Sequence, residues 1–423
     1  MAESESLITL KKSSLKGTLT LPPSKSHTLR ACLFASMAEG RSIIENYLHS
    51  PDTFAMIKAL RQLGAKIDVS DDKLVVDGGL KAEKALQIDA QNSGQVLRFV
   101  GAVAAHLDVP VTITGDLSLQ TRRPCVPLIE GLLQLGAKAS HTNGHAPITV
   151  QGPLKPAKVR LNGQDSQPVS ALMIAACLLK GTTEIEVIEA GERPWLRLTL
   201  SWLKRMGVAF DDCGNDRFRI HGREKLSSFT YKVPGDLSTL AFPLAIALLT
   251  ESELVIEGVD LQDEQGDKVI VEILQKMGAM FDLLPHAIRV TGPQELAGIE
   301  VDVNDCIDAL PILAVVGAFA KGKTRLFNGA IARYKESDRI LSIAQELEKL
   351  GAALVQTPCG LTISQSELCG TNLLAHEDHR VAMALSVAAL STSGKSTLQG
   401  ASCVKKSYPE FFSELKRLGG QVT

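Results

Sequence analysis

The chain has 423 residues, of which 45% are hydrophobic and 22% are charged, and its formal net charge is −2. This length suffices for two domains with full apolar cores, and the near-neutral charge argues against nucleic acid or an anionic membrane as a partner. No apolar run is long enough to span a bilayer, and eight scattered cysteines without a CxxC pair favour reduced thiols. The sequence therefore predicts a cytoplasmic protein that binds neither nucleic acid nor membrane.

Along the chain, one helix-to-hairpin pattern recurs six times. In each copy an amphipathic helix ends in Leu or Met, a glycine follows, and then come short runs typical of a β-hairpin. The glycines are Gly64, Gly136, Gly207, Gly278, Gly351 and Gly419, at intervals of 72, 71, 71, 73 and 68 residues. Because each glycine stands where a helix must end, we expect left-handed backbone there. The near-constant interval predicts six α/β modules.

The two ends of the chain are predicted to belong together. The sixth copy stops four residues after Gly419, whereas SLITLKK and GTLTLPP near the start look like strands with no helix of their own. We expect these strands to complete the last sheet. The chain would then form a first domain over 23–230 and a second over 1–22 plus 231–423, each with three repeats, and the hinged halves would close a cleft.

The segment GAFAKGKT at 317–324 matches the phosphate-loop pattern GxxxxGK[ST] but lacks its context. A phosphate loop follows a strand and opens a helix, so that backbone N–H groups face the phosphate. Here an apolar helix pattern comes first and a strand pattern follows. We therefore interpret the segment as a helix-to-strand turn without a nucleotide role.

Charged segments that occur only once interrupt the repeat. Hydroxyls and a lysine open a helix in LPPSKSHTLR, and a glycine precedes a helix bearing Arg98 in QNSGQVLRFVG. Helix N-termini and basic side chains suit phosphate. The other unique segments are LSLQTRRPCVPL, GQDSQPVSAL, VPGDLSTLAF, DVNDCIDALP, ARYKESDRI, HEDHRVAMAL and CVKKSYPEF. Each alone is compatible with a helix cap or a solvated surface, and together they predict a site for small phosphorylated anions.

A metal site is not indicated by the sequence. His379 follows Asp378, but it has no histidine partner at HxH or HxxxH spacing. We expect no metal ion.

In this order, the unique segments resemble the enolpyruvyl transferases, and among them those that act on shikimate 3-phosphate. The matches run from SKS near residue 24 to KKSYPEF near 406. PPSKSHTLR is similar to the family's PGSKSxSxR, YKESDRI to VKETDRL, and EDHRVAMAL to NDHRMAM. The resemblance implies an inside-out α/β barrel fold of two domains, each built from three βαββαβ-like units, without metal or organic cofactor. We further expect a monomer.

The reaction implied by the resemblance joins two anions, in the shikimate pathway to chorismate and the aromatic amino acids. The 5-hydroxyl of shikimate 3-phosphate adds to C2 of phosphoenolpyruvate, C3 gains a proton, and phosphate then leaves. Fixed cations in a site without bulk water must hold these two charged substrates together. That demand accounts for the lysines and arginines of the unique segments.

The resemblance also implies roles for individual residues. Asp308 would accept the proton of the 5-hydroxyl, Glu336 would handle the proton at C3, and Lys25 would touch both substrates and act as an acid. The positions that match contacts to shikimate 3-phosphate are Lys25, Ser26, Arg30, Ser166, Gln167, Asp308 and Lys335. Those that match contacts to phosphoenolpyruvate are Lys25, Gly94, Arg123, Gln167, Arg339, Arg380 and Lys406.

Three positions depart from the family pattern near the substrate phosphate. Asp165 replaces the usual serine before SQ, Glu192 replaces the serine of an SKPY-like segment, and Ile331 replaces an asparagine. A carboxylate there repels phosphate unless it is paired, and we expect Arg193 or Lys335 as its partner. Two further departures, Pro23 and Gln95, bear on sensitivity to glyphosate, the family's inhibitor.

Other acceptors and a non-enzymatic role stay as alternatives. The sister transferase that acts on UDP-N-acetylglucosamine shares the fold but carries a Lys-Asn pair and a reactive loop cysteine, where this chain has Lys25-Ser26 and Cys125. The carboxylates Asp165 and Glu192 would allow a different enolpyruvyl acceptor. A repeat scaffold without activity is disfavoured, because it needs no unique charged segment in each copy.

Overall fold

Two units, each with its own apolar core, make up the chain in the computed structural model, which describes residues 6–223 and 225–423. The continuous unit is Pro23–Pro234. The discontinuous unit joins the residues up to Pro22 with Gly235–Thr423. The sequence prediction set these limits at 22/23 and 230/231.

Six four-stranded sheets share one pattern of pairing, in which one edge strand runs parallel to its neighbour and the other two pairs are antiparallel. In spatial order, the sheets of the continuous unit are Thr230–Lys232, Arg41–Glu45, Lys73–Asp77, Lys66–Val69; then Leu86–Asp89, Val111–Thr114, His145–Gln151, Lys138–Thr142; and Lys158–Asn162, Gly181–Ile188, Arg217–Gly222, Ala209–Asp212. Those of the discontinuous unit are Lys16–Thr20, Glu253–Glu257, Ala287–Thr291, Asp282–Leu284; then Glu300–Asp302, Lys323–Phe327, Gly360–Ser364, Leu354–Thr357; and Asn372–Leu374, Lys395–Gln399, Leu7–Lys11, Gln421–Val422. A short parallel pair, Ala38–Glu39 with Leu226–Ser227, is separate.

The two N-terminal strands join different sheets of the discontinuous unit. Leu7–Lys11 lies between Lys395–Gln399 and Gln421–Val422, within the sheet of the sixth repeat. Lys16–Thr20 instead pairs in parallel with Glu253–Glu257, in the sheet of the fourth repeat. Both strands had been expected in the last sheet, and the structure places only the first one there.

The helices of the described residues include three in each unit that are buried on nearly all sides. The α-helices of the described residues are α1 Lys25–Met37, α2 Pro51–Gln62, α3 Gly101–Ala104, α4 Leu117–Thr121, α5 Val126–Gln134, α6 Ser166–Ala176, α7 Arg193–Arg205, α8 Leu237–Leu249, α9 Val269–Lys276, α10 Leu310–Phe319, α11 Arg339–Leu350, α12 His379–Ser391 and α13 Phe411–Arg417. The buried ones are α1, α3 and α6 in the continuous unit and α8, α10 and α12 in the discontinuous unit. A π-helical turn, Val96–Val100, leads into α3, and short 3-10 helices lie at Gly266–Lys268, Asn304–Ala309, Ala330–Tyr334 and Ala401–Lys406. Over 6–223 and 225–423 there is no helix both long and apolar enough to cross a bilayer.

The central helices of the discontinuous unit, α8, α10 and α12, pack against one another, and every residue of α12 is buried. In the continuous unit the π-helical turn and α3 pack against α6, and the π-helical turn also contacts α1. A helix that is apolar or small-sided all round belongs in the interior. Short side chains such as alanine and serine dominate α12, so neighbouring helices can approach closely.

All six repeat glycines have left-handed backbone, with φ between 70° and 107°. The sequence prediction at these positions is confirmed. A side chain with a Cβ is disfavoured in this conformation, so glycine ends each helix and turns the chain toward the next strand.

The phosphate-loop-like segment joins a helix to a strand, as predicted. α10 ends at Phe319, and the strand Lys323–Phe327 follows. Gly317 lies inside α10, where a Cβ would come within 2.9 Å of Thr324. The glycine therefore permits close helix–strand packing, and the segment lacks the strand-to-helix order of a phosphate loop.

Candidate active site

In both units several predicted site residues lie at or just before the N-termini of buried helices. In the continuous unit α1 begins at Lys25, Gly94 precedes the π-helical turn, and α6 begins at Ser166. In the discontinuous unit Asp308 lies just before α10, and Arg380 lies in the first turn of α12. Helix N-termini carry backbone N–H groups without helical partners and a partial positive charge. Each unit thus presents a cluster of side chains where anions are favoured.

Arg30 of the continuous unit is a buried cation whose contacts are to neutral groups. Its Nε and Nη2 donate to Thr199 Oγ1 at 3.2 and 3.0 Å, and Nη1 donates to the carbonyl of Ser26 at 3.3 Å. The guanidinium also lies 5.1 Å from the ring centre of Phe99. Burial lowers the pKa of Arg30 to about 9, and within the described part of the chain no carboxylate pairs with it. A buried ion without a counter-ion is destabilising, so this position favours an incoming anion.

Gly94 lets three polar side chains of the continuous unit approach the backbone closely. A Cβ there would lie 2.7 Å from Arg98 Nη1, 3.1 Å from Gln167 Oε1 and 3.2 Å from Arg123 Nη1. Arg98 Nη1 donates to Gln167 Oε1 at 3.0 Å, and Arg123 Nη1 donates to the carbonyl of Asn92 at 3.1 Å. Glycine therefore avoids crowding where two guanidinium groups and an amide meet.

Asp165 is neutralised within the continuous unit. Its side chain caps α6, and its Oδ2 lies 3.2 Å from Nη2 of Arg98, a guanidinium that is almost fully buried. The sequence interpretation had suggested Arg193 or Lys335 as the counter-ion. Arg98 fills that role for Asp165, and the guanidinium of Arg193 pairs with Asp216.

Glu192 contacts the same first turn of α6. Its Oε2 accepts hydrogen bonds from the backbone N–H of Ser166 at 3.0 Å and from the Ser166 hydroxyl at 3.2 Å. The residue is 2% exposed and has left-handed backbone, with φ 48° and ψ 39°. Both unexpected carboxylates therefore lie at the start of one helix.

Lys25 and Ser26 open α1, which Ser24 caps. Lys25 Nζ lies 3.8 Å from Asp52 Oδ2, and the lysine side chain is only 12% exposed. The Ser26 hydroxyl accepts a long hydrogen bond from Gln95 Nε2 at 3.5 Å. Asp52 is thus a buried counter-ion of Lys25 that the sequence patterns did not single out.

Arg339 lies at the centre of the cluster in the discontinuous unit. Its guanidinium is 1% exposed and contacts three carboxylates, at 2.6 Å from Asp308, 3.0 Å from Glu336 and 2.8 Å from Asp378. Burial by itself would lower the pKa of Arg339, but these carboxylates together raise it well above its ordinary value. Arg339 therefore stays charged and fixes the carboxylates around it.

Two further cations complete the cluster of the discontinuous unit. Arg380 Nη2 lies 3.1 Å from Asp308 Oδ2, and its Nη1 donates to the carbonyl of Ser238 at 3.0 Å. Lys406 Nζ lies 2.8 Å from Glu336 Oε1. Each predicted catalytic carboxylate thus contacts two cations, which favours its ionised form.

Asp267 is a buried carboxyl beside this cluster that no sequence motif marked. Burial, and then the charge of Asp308, raise the pKa of Asp267 well above its ordinary value. Its Oδ2 is buried and, over the described residues, has no hydrogen-bond partner. A carboxyl that stays neutral there adds no negative charge to the site.

The structure brings together most of the predicted residues within each unit. Gly94, Arg123 and Gln167 meet in the continuous unit, and Asp308, Glu336, Arg339, Arg380 and Lys406 meet in the discontinuous unit. Lys335 is buried directly before Glu336, and Ile331 is buried in the apolar core of the same unit.

Besides Asp52 and Asp267, two further residues of the clusters were not among the predicted contacts. Arg98 follows Gly94 by four residues, a spacing that places both on one helix face and could have indicated it. Asp378 precedes a buried helix and caps it, so the N-cap pattern was its signal. Among the described residues, no group of three His, Cys, Asp or Glu side chains could hold a metal ion.

This chain is similar to known proteins over nearly its whole length. Residues 10–415 match the family model described as EPSP synthase (3-phosphoshikimate 1-carboxyvinyltransferase). The chain belongs to the EPSP synthase family. It is 42% identical to the 3-phosphoshikimate 1-carboxyvinyltransferase of Chlamydia pneumoniae over 416 residues, which cover 97% of this chain and 93% of that protein. The corresponding protein of Chlamydia caviae is 41% identical with the same coverage.

A solved EPSP synthase structure has the same fold. The structure of EPSP synthase from Acinetobacter baumannii matches with a TM-score of 0.82 and 28% identity, over 99% of both chains. The predicted α/β fold of the enolpyruvyl transferase type is confirmed by this likeness.

Cys125 separates this EPSP synthase family member from the sister transferase with a reactive cysteine. Cys125 is fully buried, and burial raises the pKa of its thiol although Arg98 acts in the opposite direction. A buried thiol of raised pKa is a poor nucleophile. The alternative of a UDP-sugar acceptor is accordingly not favoured.

Proposed function

We infer that this member of the EPSP synthase family transfers the enolpyruvyl group of phosphoenolpyruvate to the 5-hydroxyl of shikimate 3-phosphate and releases phosphate. Arg30 carries this inference: it is buried within the SKSHTLR motif, and none of the carboxylates described by the structure pairs with it. A phosphorylated substrate supplies the absent counter-charge. The reaction serves the shikimate pathway to chorismate and the aromatic amino acids.

Shikimate 3-phosphate is proposed to bind through groups of both clusters. The Ser166 hydroxyl and N–H and the Arg30 guanidinium suit its phosphate, because helix N-termini and arginines are favourable phosphate ligands. The full set of proposed contacts is Lys25, Ser26, Arg30, Ser166, Gln167, Asp308 and Lys335.

Phosphoenolpyruvate is proposed to bind beside the polar side chains that surround Gly94. A close approach to the backbone at Gly94 brings an anion next to Arg123 and Gln167, as the distances around Gly94 indicate. The discontinuous unit adds three cations, and guanidinium groups can grip a carboxylate or phosphate with two hydrogen bonds. The proposed contacts are Lys25, Gly94, Arg123, Gln167, Arg339, Arg380 and Lys406.

The proposed chemistry is an addition followed by an elimination. Asp308, held ionised by Arg339 and Arg380, takes the proton of the 5-hydroxyl group. At the same time the oxygen of that hydroxyl group bonds to C2 of phosphoenolpyruvate. The electron pair of the C2–C3 double bond takes up a proton at C3. Glu336 handles this proton, and Lys25 acts as an acid at the bridging oxygen. C3 then loses a proton, the double bond re-forms, and phosphate leaves.

The remaining sequence predictions enter this proposal unchanged. We propose two domains of three repeats each, and a cytoplasmic monomer that uses no metal and no organic cofactor. The common pairing pattern of the six sheets and the six left-handed glycines support the repeat organisation.

Phosphate release tests the proposed reaction. The purified protein is incubated with phosphoenolpyruvate and either shikimate 3-phosphate or UDP-N-acetylglucosamine, with and without a chelator, and inorganic phosphate is measured. We expect release only with shikimate 3-phosphate, and an equal rate with the chelator. Release with the UDP-sugar alone would contradict the assignment.

A further inference from the structure

The N-terminus of α6 already holds an anion of the protein itself. Glu192 occupies the residue position before α7, yet its carboxylate reaches Ser166 at the start of α6 and accepts from both its N–H and its hydroxyl. The glutamate is 2% exposed. A buried carboxylate requires hydrogen-bond donors, and the first turn of a helix offers them.

The backbone at Glu192 adds a second unusual feature. Its φ of 48° and ψ of 39° lie in the left-handed region, which residues other than glycine, asparagine and aspartate seldom adopt. Backbone strain of this kind persists where the surroundings hold a side chain in a particular place, and it concentrates at functional sites. Here the strained residue is the one whose carboxylate reaches Ser166.

The two carboxylates at α6 contact different groups at the start of the helix. Asp165 caps α6 and pairs with the buried guanidinium of Arg98. Glu192 binds the very donors of Ser166 that the proposed function gives to the substrate phosphate. Two hydrogen bonds link Arg30 to α6. Arg30 donates to the hydroxyl of Thr199, and that hydroxyl donates to Ser170 of α6 at 3.0 Å.

We propose that Glu192 is a specificity-determining residue whose carboxylate competes with the phosphate of shikimate 3-phosphate for Ser166. This inference rests on the proposed function. A phosphate and a carboxylate cannot share the Ser166 N–H and hydroxyl without strong like-charge repulsion. The substrate must therefore displace Glu192, and the displacement weakens the affinity for every ligand that places a phosphate there. A ligand without that phosphate does not compete with Glu192 for Ser166.

Two substitutions at Glu192 test the competition. Glu192→Ser removes the carboxylate, and Glu192→Gln keeps the size of the side chain but removes its charge. Glu189→Gln is the matched control, because Glu189 is also a left-handed glutamate before α7, is exposed, and binds Asn162 and Gln164 instead of Ser166. The dissociation constants of shikimate 3-phosphate and of shikimate, which lacks the phosphate, are measured by calorimetry without phosphoenolpyruvate.

We expect Glu192→Ser to tighten the binding of shikimate 3-phosphate about tenfold, equal to about 1.4 kcal/mol, and Glu192→Gln to tighten it less. Shikimate binding and the KM for phosphoenolpyruvate should change less than about twofold in all variants, by the same scale. Unchanged or weaker binding of shikimate 3-phosphate in both Glu192 variants, or an equal change for shikimate, would overturn the proposal. A failure of the proposed function is recognised separately, as the absence of phosphate release by the unmodified protein.

Discussion

The two clusters use the same scaffold, the N-termini of buried helices, but balance their charges differently. In the discontinuous unit Arg339 alone contacts three carboxylates, and Arg380 and Lys406 contact two of them again. In the continuous unit the contacts of the buried Arg30 with the described residues are to neutral groups and an aromatic ring. The first arrangement holds ionised side chains in fixed positions. The second leaves a positive charge that a ligand can neutralise.

We propose that this difference separates catalysis from recognition. A general base must be ionised and held in place, and the contacts of Asp308 with Arg339 and Arg380 suit the proposed base. A phosphate site gains most from a cation whose charge is not already compensated, which Arg30 provides. The carboxylates of the continuous unit fit this division, since Asp165 is paired with Arg98 and Glu192 lies on the donors proposed for phosphate.

The largest effect is expected from the loss of Asp308, the proposed base in the discontinuous unit. Asp308→Ala should lower kcat by about 10³-fold, within the range for a general base, while the fold persists. The change is measured by steady-state phosphate release and circular dichroism. Asp305→Ala, an exposed aspartate of the same 3-10 helix, is the control and should leave kcat unchanged. A kcat near that of the unmodified protein in Asp308→Ala would remove Asp308 as the base.

The second-largest effect is expected from the removal of the charge of Arg30 in the continuous unit. Arg30→Met should weaken shikimate 3-phosphate about 100-fold, equal to about 2.7 kcal/mol, because it removes the counter-charge of the phosphate. The free energy of unfolding without ligand should not fall, since a buried ion without a carboxylate partner is replaced by an apolar side chain. Calorimetry and urea denaturation measure the two quantities.

The control for Arg30→Met is Arg197→Met, which removes an exposed arginine of α7. It should leave the affinity for shikimate 3-phosphate unchanged. A strong loss of stability in Arg30→Met, with affinity retained, would make Arg30 a structural residue and end the contrast between the two clusters.

Lys25 is expected to act on both substrates at once. Lys25→Met should raise the KM values for shikimate 3-phosphate and phosphoenolpyruvate together, each by about tenfold, since it removes a charge-assisted contact from both. Lys58→Met, an exposed lysine of α2, is the control. A change confined to one substrate would contradict a bridging role for Lys25.

The smallest expected effect is a fall in the affinity for shikimate 3-phosphate at alkaline pH. The pKa of Arg30 is lowered to about 9 by burial, so the protein without ligand loses this proton as the pH rises through about 9. A bound phosphate favours the protonated form, and the affinity for shikimate 3-phosphate should fall several-fold between pH 8 and about 9.5. In Arg30→Met this part of the pH dependence should disappear. If the affinity of Arg30→Met still fell over this pH range, the pH dependence would belong to another group.

The lowered pKa of Arg30 also determines how the free energy of unfolding changes with pH. Above about pH 9 the folded chain has released the Arg30 proton, whereas the unfolded chain keeps it up to the ordinary arginine value of 12.5. The unfolded state therefore binds more protons in this window, and the contribution of Arg30 to the free energy of unfolding rises with pH there.

The repeat architecture could be predicted from local signals. Gly64 and its five counterparts end helices at a near-constant interval, and helix termination depends on a few neighbouring residues. The strand Lys16–Thr20 was assigned to the wrong sheet, because strand pairing across more than 200 residues leaves no local signal. Register and partner depend on packing that a short apolar run does not specify.

The candidate site, too, could be predicted from the sequence only in part. Asp308, Arg339 and Arg380 lie in motifs that a family resemblance marks, and the structure brings them into contact. The pairs Arg98–Asp165 and Glu192–Ser166 join segments far apart in sequence, so neither the counter-ion of Asp165 nor the contact of Glu192 followed from the local pattern.

The assignment of phosphate recognition to the continuous unit is tested most directly by one calorimetric comparison. Shikimate 3-phosphate and shikimate are titrated into the unmodified protein and into Arg30→Met. We expect the unmodified protein to prefer the phosphorylated ligand by about 100-fold or more, and Arg30→Met to lose most of that preference. An equal preference in both proteins would contradict the role of Arg30 as the cation that awaits the substrate phosphate.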